Sequence, residues 1–381
     1  MQEVLGMKTT ALASNNQAAI RDSHAVSDLE MRNAGAPRQL RVLLVKMSSL
    51  GDIVHTFPAL TDAIEARPEL CFHWLVEAAF VELVACHPAV DDVIPIELRR
   101  WRSAPWRQRQ QFLDFRRVLQ QQKYDLVLDA QGLIKSAVVS RMAHATQRVG
   151  LSWRSAREPL ASLAYNIDFD IDKDQHAVER TRSLFARALS YPRPESDPRC
   201  GLVANESVHM RLSEKTEKWT RPYLVFLHGC SWSSKEWPLK HWQHLARRVI
   251  EKGYDVYLPY GNTLEKERAK AIGYGLSGCR VLPEMSLSKL AQTLRRAQAV
   301  VTVDSGLGHL AAAWNVPVLG VYQSTDNILT GMLGVHARNM QSQYHCSPCL
   351  ERNCPIRLDT GTPCGLALTP GDVFERLAGV L

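Results

Sequence analysis

Short apolar runs alternate along the chain with stretches whose apolar positions recur at helical spacing. Runs rich in Val, Leu and Ile predict buried strands at residues 41–45, 72–76, 91–96 and 124–130 in the first half, and at 223–229, 254–261, 299–306 and 316–323 in the second. Helical patterns such as 58–66 and 106–122 separate the strands. This alternation is typical of parallel sheets covered by helices on both faces.

The length of 381 residues predicts two domains, because one hydrophobic core seldom serves so long a chain. We expect a disordered extension over residues 1–40, Rossmann-like domains over 41–200 and 201–340, and a cysteine-containing segment with a C-terminal helix over 341–381. A proline-rich stretch, 191–210, predicts the linker. In an α/β fold of this kind the sheets face a central cleft, and ligands bind at the C-terminal ends of the strands.

Composition narrows the class of protein further. Hydrophobic residues make up 45% and charged residues 22%, which is ordinary for a soluble globular protein. No apolar run is long enough to span a bilayer, and the first forty residues have no apolar core of the signal-peptide kind, so we expect a cytoplasmic protein. The net charge of +7 suits an anionic partner. No nucleic-acid-binding module is recognisable, and we expect no nucleic acid partner.

An aspartate lies between the first predicted strand and the helix predicted after it. Asp52 follows two serines and a glycine, and an apolar pattern at helical spacing begins behind it. The residue is either a helix cap or a catalytic base at the mouth of the cleft, and the two roles are compatible. Pro58 leaves open whether the helix starts just after Asp52 or at the proline.

A second turn, after the strand that ends at Val303, is suited to an anion. Asp304, Ser305 and Gly306 form the turn, and residues 307–314 predict a helix whose first N–H groups and dipole favour a phosphate. Glycines 306 and 308 would let that phosphate approach the backbone. The alternative is a tight strand–helix turn without a ligand.

The same turn also matches the dinucleotide pattern G-x-G-x-x-A. Gly306, Gly308 and Ala311 fit it, and Asp326 follows twenty residues after Gly306. An NAD-dependent oxidoreductase is therefore an alternative function. It is weakened because Asp326 lies beyond the next strand rather than at its end.

Further polar residues follow the ends of other strands. Ser231 and Lys235 could bind phosphate oxygens, and Glu265 could accept the hydroxyls of a ribose. For each of them a solvated loop or helix end is the alternative. Asp168 and Asp170 form a D-x-D pair, but their alternation with apolar residues indicates an edge strand rather than a metal site.

Arginines crowd the region after the third strand. Arg99, Arg100 and Arg102 closely follow the strand end and can face the cleft, where guanidinium groups bind carboxylate or phosphate bidentately. The arginines beyond them fit a solvated helix face.

Four of the nine cysteines are clustered near the C-terminus, at Cys346, Cys349, Cys354 and Cys364. Thiolates at such short spacing, separated by proline and glycine, favour a structural zinc or iron over free thiols.

Taken together, several motifs carry a family resemblance. "RVLLVKMSSLGDIVHTFPALTDA", "DAQGLIKSA", "SAREPLAS", "HAVERTR" and "VDSGLGHLAAA", among others, occur in order over residues 41–326. In this respect the chain resembles the lipopolysaccharide heptosyltransferase I family of glycosyltransferases. That resemblance implies a GT-B fold, an acceptor-binding first domain and a second domain that binds ADP-heptose. It also implies inverting transfer of L-glycero-D-manno-heptose to the Kdo region of lipid A at the inner-membrane surface, without a catalytic metal.

The resemblance assigns roles residue by residue. It implies that Asp52 is the general base and that Arg99, Arg100 and Arg102 meet the acidic acceptor. The expected donor contacts are Ser231, Lys235, Glu265, Met285, Asp304, Ser305, Gly306, Leu307 and His309.

Departures from the family pattern keep alternatives open. Cys230 stands where a second hydroxyl residue is expected, and the cysteine cluster is more similar to heptosyltransferase II proteins and autotransporter heptosyltransferases. Both therefore remain alternatives for the acceptor, and the NAD oxidoreductase is a more distant one. The sequence leaves the oligomeric state open.

Overall fold

The computed structural model describes residues 39–103, 107–202 and 221–379. Two six-stranded sheets, both of parallel strands, lie in the two halves of the chain. This confirms the predicted α/β fold with two Rossmann-like domains. Most of the predicted extension, residues 1–40, lies outside the described residues. Among the residues that the structure describes, no helix is long and apolar enough to cross a membrane.

The first sheet has the strand order β3-β2-β1-β4-β5-β6. Its four predicted strands are confirmed, and the predicted edge strand around Asp168 is β6. The remaining strand, β5, was not predicted from the sequence. The bounds are β1 Leu40–Val45, β2 Leu70–Glu77, β3 Val90–Ile96, β4 Lys123–Asp129, β5 His144–Leu151 and β6 Ile167–Phe169.

Helices cover both faces of this sheet, and apolar side chains fill the space beneath them. Phe57, Phe72 and Trp74 are fully buried on one face, and Leu43 and Leu119 on the other. The helices are α1 Leu50–Val54, α2 Phe57–Ala66, α3 Val81–Val84, α4 Leu98–Ser103, α5 Arg109–Gln121, α6 Ile134–Met142 and α7 Ala177–Ala188, with 3-10 helices at Ala78–Phe80 and Pro159–Ala164.

The second sheet repeats the topology of the first. Its order, taken from the β9 edge, is β9-β8-β7-β10-β11-β12, which is the first order shifted by six strands. The strands are β7 Tyr223–Leu227, β8 Asp255–Leu258, β9 Cys279–Val281, β10 Ala299–Val303, β11 Val318–Tyr322 and β12 Ala337–Gln341. Successive strands are added to one side of β1 up to β3 and to its other side from β4 onwards, and the same change occurs between β7 and β10. Such switch points are where doubly wound folds bind ligands.

The end of the chain belongs to the second domain. Val373 and Leu377, both fully buried, join the apolar core of the second sheet, and Arg248 lies 4.1 Å from the centre of the Phe374 ring. The helices are α8 Leu239–Glu251, α9 Thr263–Gly273, α10 Leu287–Arg295, α11 Gly306–Ala313, α12 Asn327–Thr330, α13 Pro363–Ala367 and α14 Pro370–Ala378, with a 3-10 helix at Ser233–Lys235.

Candidate active site

The two domains meet through the helices that follow their central strands. Helix α1 follows β1, α11 follows β10, and the two helices pack against each other. A Cβ atom at Gly306 would lie 2.7 Å from Leu50 Cβ, and one at Gly51 would lie 3.4 Å from His309 Cδ2. Only a glycine permits the first approach. The contact brings the predicted base and the predicted diphosphate turn to one place.

The glycines of this turn make close packing contacts. Gly306 faces the backbone of α1, and a Cβ at Gly308 would lie 2.7 Å from Thr302 Cγ2. The anion-binding groups that remain are the N–H groups of the first helical turn, which have no preceding turn to bond.

Asp52 lies inside a short helix and not in front of a long one. Helix α1 begins at Leu50, before Asp52 rather than just after it, and ends at Val54. Helix α2 begins separately at Phe57 with Pro58 in its first turn, so of the two predicted helix starts the one at the proline occurs. The backbone N–H and the hydroxyl of Ser49 each donate to Asp52 Oδ2 at 2.8 Å. Within the described residues, Oδ1 receives no hydrogen bond. Asp52 therefore caps its helix with one oxygen and leaves the other available.

A buried lysine keeps Asp52 ionised. Burial alone would raise the pKa of Asp52, but the Lys46 cation and the hydrogen bonds from Ser49 hold it below its ordinary value. Lys46 is 8% exposed and donates to the carbonyl oxygen of Ala130 at 2.8 Å. Its own pKa is lowered by burial and partly restored by Asp52. The sequence analysis missed Lys46, because a lysine directly after a strand carries no special signal.

A chain of polar contacts crosses the boundary between the two domains. Lys235 Nζ lies 2.6 Å from Asp304 Oδ2, and His309 Nε2 lies 3.5 Å from Asp304 Oδ1. His309 Nδ1 is in turn 3.2 Å from Nε2 of His55, on the first domain. Burial opposes ionisation of Asp304, but His309 and Lys235 hold its pKa well below the usual range. Burial and the neighbouring His309 keep the pKa of His55 well below its ordinary value, so His55 is neutral at pH 7.

The other predicted donor residues lie at the same end of the second sheet. Ser305 is the N-cap of α11 and accepts from Gly308 N at 3.3 Å. Glu265, in the first turn of α9, accepts from Gly261 N at 2.7 Å and lies against Gly229, which follows β7. Leu307 packs between the cores of both domains, and Met285 is half-buried after β9.

The loop after β7 carries the remaining donor residue. Ser231 is exposed there. Cys230 donates to the carbonyl of Trp232 at 3.2 Å, and burial raises the pKa of its thiol to about 12, so it is a neutral group beside the site.

The predicted acceptor arginines lie on α4, directly after β3. Arg100 is exposed and pairs with Glu97 at 3.2 Å, while the side chains of Arg99 and Arg102 lie outside what the structure describes. Other cations lie near Lys46, and sequence reasoning missed them although they stand in the quoted motifs. Arg157 and Arg180 both lie near enough to Lys46 to lower its pKa.

Arg180 is poised for a ligand. Its Nη2 donates to the carbonyl of Ser155 at 3.2 Å, while its buried Nε has no hydrogen-bond partner within the described residues. Lys135 is a further cation here and donates to Ser48 Oγ at 3.2 Å, in the loop that precedes Asp52.

The four clustered cysteines do not form a ready metal site. No group of three or more His, Cys, Asp or Glu side chains within the described ranges is arranged to hold a metal ion. Burial is the main cause that raises the pKa of Cys364. The nearby Cys346 and Cys354 raise it further, so these thiols are neighbours. The structure therefore does not support the predicted zinc or iron ligands Cys346, Cys349, Cys354 and Cys364 as a formed site.

Asp326, the acidic residue of the glycine motif that suggested NAD binding, has a structural role instead. Asp326 caps α12 by accepting from Ile328 N at 2.7 Å, and it does not stand at the end of the strand after the glycines. Two Rossmann-like domains with a carboxylate of one domain facing a helix N-terminus of the other are the arrangement expected of a glycosyltransferase of the GT-B fold. That is the class of protein to which the geometry points.

Comparison with known proteins identifies the family. The model of glycosyltransferase family 9 (heptosyltransferase) matches residues 112–358. Lipopolysaccharide heptosyltransferase 1 of Pseudomonas aeruginosa is 47% identical over 317 residues, covering 83% of this chain and 87% of the relative. Its counterpart from Escherichia coli K12 is 44% identical over 305 residues, covering 79% and 92%. The solved structure of E. coli heptosyltransferase WaaC with ADP has a TM-score of 0.76 and 39% identity, covering 90% of this chain and all of that one.

The chain thus belongs to glycosyltransferase family 9 and is a heptosyltransferase that acts in lipopolysaccharide biosynthesis. This confirms the resemblance and removes the NAD oxidoreductase as an alternative.

Proposed function

We propose that this chain transfers L-glycero-D-manno-heptose from ADP-heptose to Kdo of lipid A, with inversion at the anomeric carbon. The relatives named lipopolysaccharide heptosyltransferase 1 support the acceptor, and the E. coli enzyme, whose structure contains ADP, supports the nucleotide. The observation that carries the proposal is the contact of α1 with α11, since it sets an ionised carboxylate against an anion-binding turn.

Asp52 is the general base in this proposal. Its free Oδ1 accepts the proton of the acceptor hydroxyl as that oxygen bonds to the anomeric carbon. Ser49 holds Oδ2 and so fixes the orientation of the carboxylate. Lys46 keeps the carboxylate ionised before the acceptor arrives.

The second domain stabilises the departing ADP. Negative charge grows on the diphosphate as the glycosidic bond breaks, and fixed donors are most effective where charge develops. Lys235 and the N–H groups at Ser305, Gly306 and Leu307 supply them, with Ser231 and His309 beside them. Asp304 binds heptose hydroxyls and orients Lys235, Glu265 accepts the ribose hydroxyls, and Met285 lies where adenine binds.

The first domain, residues 41–200, binds the acceptor, and residues 201–340 bind the donor in this proposal. Kdo-lipid A carries carboxylates and phosphates. Arg99, Arg100 and Arg102 would meet these groups after the third strand, and Arg157 and Arg180 would meet them near Lys46. Because the acceptor is a lipid, the enzyme works as a peripheral protein at the cytoplasmic face of the inner membrane. The reaction needs no catalytic cofactor.

One competition assay tests the acceptor. Purified enzyme with ADP-heptose is offered Kdo-lipid A or an already monoheptosylated core, and ADP release is followed. We expect turnover with Kdo-lipid A alone. Preference for the heptosylated core would indicate heptosyltransferase II, and transfer to a serine-containing autotransporter protein would indicate the third alternative.

A structural zinc or iron at the cysteine segment, residues 341–381, is a separate part of the proposal. The short spacing of the four cysteines and the proximity of Cys346, Cys354 and Cys364 support it. Elemental analysis of untagged protein should then find about one metal ion per chain, as one four-thiolate site holds. Protein that is fully folded without metal would end this part of the proposal and leave the heptosyl transfer untouched.

A further inference from the structure

An apolar surface lies beside the catalytic loop on the first domain. Ile134 and Val138 of α6 are 45% and 57% exposed, and Leu160 and Leu163 of the neighbouring 3-10 helix are 56% and 74% exposed. The two elements pack together, and Ile134 N donates to Glu158 Oε2 at 2.7 Å. Exposed aliphatic side chains grouped in this way are typical of an interaction site.

Cations flank these side chains. Arg141 lies in the last turn of α6, and Arg154 and Arg157 lie in the loop before the 3-10 helix. All three are exposed, and in the described part of the chain none of them forms an ion pair with an acidic residue. The nearby acid, Glu158, already accepts the hydrogen bond from Ile134 N. The surface is therefore both apolar and positively charged.

This combination favours an anionic lipid bilayer as the occupant. Aliphatic side chains insert among acyl chains, while arginines beside them attract anionic headgroups. A second copy of the chain fits less well, because a two-fold contact would set the unpaired arginines of one copy against the same arginines of the other.

The surface also lies where a lipid-linked acceptor needs it. Lys135, on the same helix as Ile134 and Val138, reaches Ser48 in the loop before Asp52. One side chain therefore spans the distance from α6 to the catalytic loop. A sugar attached to a lipid stands close to the bilayer, so a membrane seated on this edge would present its hydroxyl to the base.

We propose that Ile134, Val138, Leu160 and Leu163, flanked by Arg141 and Arg154, form a docking surface that seats the enzyme on an anionic phospholipid bilayer. This inference rests on the proposed function, which supplies the lipid-linked acceptor. It goes further by assigning the membrane contact to particular residues.

Vesicle binding tests the docking surface directly. Full-length protein is sedimented with vesicles of phosphatidylglycerol and phosphatidylethanolamine, or of phosphatidylcholine alone. The double variant Leu160→Glu/Leu163→Glu should bind the anionic vesicles at least about tenfold more weakly, because two inserted leucines are lost and two like charges are added. Val335→Glu, at a side chain 75% exposed on the second domain, is the matched control and should bind as wild type does.

A second variant separates charge from insertion. Arg141→Gln/Arg154→Gln removes two exposed positive charges from the protein surface and should weaken binding to the anionic vesicles by about fivefold per arginine. It should leave binding to phosphatidylcholine unchanged. Equal binding of wild type and both variants would overturn the proposal. So would a wild-type dimer that the leucine variant dissociates, since the surface would then be a subunit interface.

Kinetics distinguish this proposal from the proposed function. With a water-soluble Kdo acceptor that lacks acyl chains, both variants should keep wild-type turnover, which also shows that they are folded. With Kdo-lipid A in vesicles, their acceptor KM should rise. If wild type itself fails to use Kdo-lipid A with ADP-heptose, the proposed function fails, while the vesicle measurements still decide the membrane contact.

Discussion

Replacing Asp52 by asparagine isolates the proposed proton-accepting role of this residue. The amide oxygen can take the place of Oδ2 and keep both hydrogen bonds from Ser49, at 2.8 Å each in the wild type. The amide nitrogen then stands where Oδ1 was, and it donates hydrogen bonds rather than accepting a proton. The shape of the helix cap is preserved, and only the base is lost.

The magnitude follows from the role. A general base contributes about 10²–10⁴ to the rate, so the barrier should rise by about 3–5 kcal/mol. Affinity for ADP should stay within about threefold, because the donor contacts lie on the second domain. Removing the carboxylate also deprives buried Lys46 of its nearest negative charge, so the melting temperature should fall slightly.

The pH dependence gives a second check. The pKa of Asp52 is held below its ordinary value, and a base is lost only as the pH falls through the pKa of the folded protein. The kcat/KM of the wild type should therefore show no acidic limb from Asp52 between pH 7 and pH 5. A limb in that window that disappears in the variant would show that Lys46 does not control the carboxylate.

The assay combines ADP release under saturating substrates with calorimetric titration of ADP. Asp114→Asn, at an exposed carboxylate paired with Arg117, is the matched control and should behave as wild type. Turnover of the Asp52→Asn variant within threefold of wild type would refute the base assignment and leave only the helix cap. A loss of ADP affinity as large as the loss of turnover would instead place Asp52 at the donor.

The remaining predictions concern three other side chains. Lys235→Ala should weaken ADP binding by about tenfold or more, because Asp304 and the diphosphate lose their shared cation; an effect confined to the acceptor KM would contradict this. Arg180→Gln should raise the acceptor KM by about tenfold and leave ADP affinity unchanged, and the reverse pattern would exclude it from the acceptor site. Burial lowers the pKa of His87 from 6.5 to about 4, so the unfolded chain binds the extra proton first and stability falls as the pH drops below about 6.5. Between pH 7 and pH 5 the unfolding free energy should fall by about 2 kcal/mol from this histidine, and urea titrations of His87→Gln should lack that part of the decrease.

The sequence predicted the fully buried strands well and missed several strands that are short or partly exposed. Strands such as Ala299–Val303 are buried along their whole length, so selection for apolar side chains leaves a continuous run. Strand His144–Leu151 is buried only at its last three residues, and Cys279–Val281 has just three residues in all. Neither carries enough apolar pattern to be distinguished from a loop.

The same reasoning explains what could be predicted of the site. Asp304 directly follows a buried strand and Asp52 lies in the first helix after one. The ends of parallel strands meet at one edge of a sheet, so the location of both residues follows from the sequence. The burial of Lys46 against Ala130 and the contact of His55 with His309 both join residues that are distant in the chain. His55 meets His309 only because the two domains dock through α1 and α11, and a sequence pattern contains no information on that docking.

The repeated topology explains why the chemistry lies between the domains. Each sheet has its switch point beside its first strand, so each domain offers a strand–helix turn and a set of polar side chains at a single edge. A transfer reaction needs a base on one side of the anomeric carbon and leaving-group stabilisation on the other, which one such edge cannot supply. In this chain the two sheet edges face each other, and the glycine at position 306 lets α1 and α11 approach. The repeated fold can therefore supply the base from one domain and the leaving-group donors from the other. Because a Cβ atom at Gly306 would lie 2.7 Å from Leu50 Cβ, any larger residue there would push α1 and α11 apart. Such a substitution should separate the proposed base from the proposed diphosphate turn while leaving the fold of each domain intact.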